Sequence, residues 1–138
     1  MNESININGL CPLLQVYDMP AALHFYRDIL GFTLIGSSGE GDDVDWTWLK
    51  LNDTEIMLNT MYEKKHRPAE KNVARQAAHA DISIYFGCSN VHETYQLLLN
   101  KNIDVKPPVI TGYNFTALYV TDPDGYLLVF HWPVKEDS

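Results

Sequence analysis

No run of apolar residues in this chain approaches the roughly 18 to 20 that a membrane-spanning helix needs, so no membrane partner is expected. Basic residues are scarce. Ten Lys and Arg stand against 18 Asp and Glu, a formal net charge of −8. That balance argues against the basic face a phosphate backbone requires, and so against a nucleic-acid partner. Only two cysteines occur, Cys11 and Cys88, with no CxxC spacing and no Cys/His cluster. Both read as buried free thiols rather than as a disulfide or a zinc site. There is no glycine-rich phosphate loop, no GxSxG and no HExxH. Residues 1–8 are polar, without a basic start or an apolar core, so no targeting leader is expected and the reading is cytoplasmic.

What is present is a chain of 138 residues, 46% hydrophobic, enough to bury a core without staples. The size prior gives a single domain over 1–138, or two small halves sharing one core. Half of all Lys and Arg (Lys64, Lys65, Arg67, Lys71 and Arg75) crowd into one short segment. The remainder is more acidic than the total, which would favour a cationic ligand, although acidity is more often a matter of solubility.

The first apolar run, Leu10 to Tyr17, ends at Asp18, a good helix N-cap, with Pro20 just inside the helix where its missing N–H costs nothing. Ala22, Phe25 and Ile29 recur at helical spacing and Gly31 stops them, giving an amphipathic helix of about three turns. Phe32 to Ile35 reads as a strand, followed by the Gly-, Ser- and acid-rich loop Gly36 to Asp43. Val44 to Leu51 alternates with period two, Asn52-Asp53 turns, and Thr54 to Thr60 returns as the hairpin partner. Residues 61–78 are polar and basic and read as a linker able to hold a short helix from Ala69 to Ala77. The order then repeats. Asp81 to Cys88 is a strand, Asn90 a cap, and Val91, Tyr95 and Leu98 a helical stripe. Strands follow at Ile103–Ile110 and Tyr113–Val120, then the turn Asp122-Pro123-Asp124-Gly125 and a last strand from Tyr126 to His131. Such a repeat means that neither half buries its sheet alone.

In its helix residues Val16-Tyr17-Asp18, Ala22-Leu23-His24-Phe25-Tyr26 and Leu30-Gly31-Phe32, and in its closing Asp122-Pro123-Asp124-Gly125-Tyr126, the chain resembles the vicinal oxygen chelate superfamily. This superfamily comprises the glyoxalases, bleomycin-resistance proteins and extradiol dioxygenases. The resemblance covers almost the whole chain. It implies an α+β fold in which two βαβββ modules, here 9–60 and 79–134 joined by the linker 61–78, pair into a curled mixed sheet around a central cavity.

In the family's enzymes a divalent metal sits in that cavity on four strand positions, usually His or Glu. Carried over, those positions are Cys11, Met57, Ser83 and Val129, with the register at Met57 good to about a residue. Val129 has no donor, neutral Ser83 is a poor ligand, and Cys11 and Met57 are soft. The resemblance therefore implies a member without the usual metal site, with no cofactor and no catalytic residue assigned. A displaced site around His131 and Glu55, each two residues along its strand and so on the same face, is the alternative. It would make the chain a metal-dependent glyoxalase-like isomerase, lyase or dioxygenase.

Strand alternation places Gln15, Trp46, Trp48, Asn59, Tyr85 and His131 on the expected cavity face. Tyr113 or Phe115 joins them, the phase of that strand being open. Paired tryptophans on one strand face fit a core and a ligand platform equally well. An aromatic, amide-rich cavity stacks on planar or cationic groups. Together these features are most similar to bleomycin-resistance-type proteins. They imply binding or sequestering of a small cationic or aromatic molecule, and a homodimer is expected from the family.

Overall fold

The computed structural model describes residues 4–62 and 64–134. The chain divides into two compact units, Met1–Arg67 and Pro68–Ser138. The division falls inside the basic segment 61–78. Among the described residues no helix is long and apolar enough to cross a membrane.

The first unit runs β1 (Leu13–Val16), α1 (Met19–Leu23), β2 (Thr33–Ser37), β3 (Trp46–Leu51) and β4 (Thr54–Thr60). Asp18 caps α1, its carboxylate accepting from the Ala21 amide at 3.4 Å, with Pro20 in the first turn. The helix does not stay α-helical for three turns. From His24 to Ile29 it widens into π-helical winding, with the Leu30 amide donating to the Phe25 carbonyl at 2.9 Å. Gly31, at φ +93°, ends it, a backbone conformation that favours glycine. Met19, Ala22, Leu23, Phe25, Tyr26 and Ile29 form the buried stripe.

The strands order as β1-β4-β3-β2, with β1 parallel to β4 and the other pairs antiparallel. Ladder partners share a face. Leu14, Val16, Thr47, Leu49, Ile56 and Leu58 all point to the helix side and are buried. The Thr47 hydroxyl donates to the Met19 sulfur at 3.4 Å, tying that face to α1.

The second unit repeats the plan as α2 (Val73–His79), β5 (Ser83–Gly87), α3 (Val91–Asn100), β6 (Val109–Ile110), β7 (Phe115–Thr121) and β8 (Leu127–Pro133). Its order is β5-β8-β7-β6, with β5 parallel to β8. This is the same topology as the first sheet. The α+β class and the βαβββ repeat expected from the sequence are thus present as two four-stranded mixed sheets. Val91 and Leu98 of α3 are buried, as are Leu118, Val120 and Leu128 of the sheet.

Several local expectations change. The strand expected over Ile103–Ile110 shrinks to Val109–Ile110, because Pro107 and Pro108 lack the N–H a ladder needs. Asn90 occupies the N-cap position of α3 without capping it; its amide donates instead to Glu93 at 3.3 Å. Its carbonyl accepts from the Cys88 thiol at 3.3 Å. Cys11 and Cys88 are free but only half-buried rather than buried.

The helix within the basic segment lies further along than expected, at Val73–His79, and is fastened to the last turn. Lys71 Nζ and Gln76 Nε2 donate to the Pro123 carbonyl at 3.0 and 3.3 Å, and His79 Nδ1 donates to the Asp124 carbonyl at 2.7 Å. The His79 ring stacks on Tyr126 at 4.1 Å. Asp122 is a turn former: its carboxylate accepts from the Asp124 and Tyr126 amides, both at 2.9 Å. Gly125 sits at φ +90° directly beneath the Gln76 carbonyl.

Candidate functional site

The sheet face of the second unit turned away from α3 gathers several of the aromatic side chains. Register places Tyr85, Val129 and Tyr119 in one row across β5, β8 and β7, and Gly87, His131 and Ala117 in the next. Gly87 and Ala117 flank His131 with little side-chain volume, so larger rings can gather around it. The half-buried imidazole stacks on Phe115 at 5.0 Å and 27° and meets Tyr85 edge-on at 5.0 Å and 82°.

Beyond these rings opens a cleft of about 350 Å³. It is lined by Tyr85, Phe115, Ala117, Tyr119, His131 and the turn residues Thr111, Gly112 and Tyr113. The turn is locally determined. The Thr111 hydroxyl accepts from the Phe115 amide at 3.2 Å and the Tyr113 amide at 3.4 Å, and Asn114 adopts φ +66°. Tyr113 is 89% exposed and stands at the rim.

In the first unit, Gln15, Asn59 and Trp46 form one row of the face opposite α1, and Leu13, Met57 and Trp48 the next. The Asn59 amide donates to the Gln15 side-chain carbonyl at 3.5 Å. Gly36 pairs with Trp48, and a methyl placed on it would come within 3.3 Å of Trp48 Cε3 and 3.5 Å of Trp46 Cη2. Both indoles therefore lie against bare backbone. Trp46 is half-buried and Trp48 exposed, so the pair forms a surface rather than a core.

Of the residues singled out from sequence, Tyr85, Tyr113 and His131 come together in the second-unit cleft. Gln15, Trp46, Trp48 and Asn59 share the first-unit face. Phe115 had been an alternative to Tyr113, and both line the cleft. Tyr119 was missed, although its period-two relation to Phe115 and Ala117 signals it once the strand phase is known.

The family's divalent metal does not fit the residues at its positions. Val129 is fully buried and carries no donor, and Met57, on the open face of β4, offers only a thioether. At Cys11, burial and then the neighbouring Glu55 charge push the thiol pKa up, disfavouring the thiolate that binds metals. For the displaced pair, His131 is flanked by rings, and Glu55 lies opposite Lys50 across the β3–β4 hairpin. Among the described residues no three His, Cys, Asp or Glu side chains gather as a metal would require.

Solved structures similar in fold include a bleomycin resistance determinant encoded on the transposon Tn5. It has a TM-score of 0.70 at 18% identity, over 92% of this chain and 98% of that one. A bleomycin-binding protein complexed with bleomycin gives 0.69 at 17% identity, over 94% and 100%. A virulence protein from Salmonella typhimurium gives 0.67 at 20%, over 95% and 100%. No curated protein sequence matches the chain significantly. Residues 8–130 match a protein family across most of the chain. The chain belongs to the Glyoxalase/Bleomycin resistance protein/Dioxygenase superfamily.

Proposed function

We propose that this chain is a non-catalytic binding protein of the bleomycin-resistance type, holding a small cationic or aromatic molecule without the help of a metal. The observation that carries this reading is the aromatic cleft around His131, with donor-free Val129 in the row beside it. The cleft is concave, mostly apolar and furnished with a few polar tips, the usual character of a small-molecule site. Its volume of about 350 Å³ suits a small ligand or one group of a larger one. A second cleft in the same unit, near His92 and Trp132, is larger at about 610 Å³ but gathers no comparable set of rings. The fold likeness to a bleomycin-binding protein lends support and makes bleomycin the first probe. Calorimetric titration of chelator-treated protein tests the reading. Saturable binding is expected, weakened at least tenfold by Phe115→Ala. Binding that appears only on adding a divalent metal would sink it.

We also propose a homodimer. Ile5, Ile7 and Leu10 are 87%, 77% and 89% exposed in the isolated chain, and burying such side chains against a second copy is favourable. Sedimentation showing only monomer at high micromolar concentration would remove that proposal. The two half-buried free thiols suit a reducing cytoplasm, where fractionation should find the protein. We take the two units as modules of one domain, for which calorimetry should record a single unfolding transition.

A further inference from the structure

We infer that the guest of the second-unit cleft presents an alkylated ammonium group, and that Tyr85, Phe115 and Tyr119 act as an aromatic cage for it. This rests on the reading of that cleft as the ligand site and goes further by naming the ligand's chemistry.

Three observations lead there. First, Tyr85 and Phe115 meet the His131 ring at different angles rather than as parallel plates. Sandwiching a planar guest needs two open faces roughly 7 Å apart, twice a carbon contact distance of about 3.5 Å. Phe115 and His131, near-parallel at 27°, are only 5.0 Å apart and so already closed on each other. Tyr85 stands at 82° to the same imidazole. A compact, roughly spherical cation can touch rings in any orientation, because each ring face carries negative quadrupole density. Second, the lining contains no Lys, Arg, Asp or Glu. Apart from the His131 imidazole the lining offers no group that can repel a cation, and no carboxylate in it demands a guest rich in N–H donors. An ammonium whose hydrogens are replaced by methyl groups matches that surface. It is weakly hydrated and makes no hydrogen bonds the cleft would leave unmet. Third, residues 68–138, the unit that holds the cleft, carry eight Asp and Glu against five Lys and Arg, a net charge of −3 that favours cations over anions only weakly.

Calorimetry on the full chain tests this with choline, tetramethylammonium and 3,3-dimethyl-1-butanol, the neutral carbon isostere of choline. Choline should bind at least tenfold tighter than the isostere. Tyr119→Phe should stay within about twofold of the native chain, since the ring is kept, whereas Tyr119→Leu should lose fivefold or more. Equal affinity for choline and its isostere would overturn the cation inference while leaving a binding cleft. If neither binds but bleomycin does, the alkylammonium class is wrong and the site reading stands. If no probe binds, both fall.

Discussion

Replacing Gly125 by alanine should be among the most damaging single-methyl changes in the second unit. At φ +90° a side chain is strained whatever the space, at a cost of about 1 to 2 kcal/mol. The space is also absent. A Cβ there would collide with the Gln76 carbonyl oxygen and lie 3.1 Å from its carbon. Backbone cannot swing aside as a flexible side chain does, so α2 must withdraw from the turn, which adds about 1 to 3 kcal/mol of overpacking strain. Withdrawal also loosens the bonds from Lys71, Gln76 and His79 to the Pro123 and Asp124 carbonyls. Strain and overpacking together come to roughly 2 to 5 kcal/mol before the loosened bonds, a drop in Tm on the order of 10 °C or more. Thermal melts followed by circular dichroism measure it. Gly112→Ala serves as control, because nothing lies within 4 Å of its added methyl. A Gly125→Ala melt within about 2 °C of the native chain would refute the clasp of α2 on the final turn.

Two further outcomes follow from the charged groups. Arg27 grips Asp42 with two bonds of 2.9 Å, which holds the Asp42 carboxyl below its ordinary range. A depressed carboxyl stabilises the fold above its unfolded value of about 4, and that contribution is lost as pH falls through the folded value. Asp42→Asn should therefore cost under about 1 kcal/mol of stability at pH 7, a slight drop in Tm, because the pair is partly exposed, and should remove part of the decline below about pH 4. An unchanged acid profile would contradict the pairing. At Cys11, the Glu55 charge raises the thiol pKa after burial has done so. Glu55→Gln should lower that pKa and speed iodoacetamide labelling of Cys11 at pH 8, read by peptide mass spectrometry. Slower labelling would reverse the assigned cause.

Much of the local chemistry was legible in the sequence, although Asn90 does not cap α3 and the first helix winds as π from His24. Asp18, Pro20 and Gly31 mark the first helix because capping and left-handed backbone depend on single residues. The period-two run from Trp46 to Leu51 reports a strand with one buried face, and Thr47 and Leu49 are indeed fully buried. The helix α2 was harder to place because what holds it is polar. Of its residues only His79 is buried, and its anchors are carbonyls far along the chain. Apolar periodicity carries no trace of that. The alternation of Ile103 and Val105 imitates a strand until Pro107 and Pro108 remove the donors. The cleft was half legible. Tyr85 and His131 follow from strand alternation, but Tyr119 needed the β7–β8 register, which is a nonlocal fact.

The central claim, a metal-independent aromatic ligand cleft around His131, is tested most directly by mapping the ring resonances of isotopically labelled, chelator-treated protein during titration with bleomycin. The account predicts that His131, Tyr85, Phe115 and Tyr119 shift together along one saturation curve, unchanged by further chelator. It would be contradicted if those resonances stayed still while others moved, or if they moved only after a divalent metal was added.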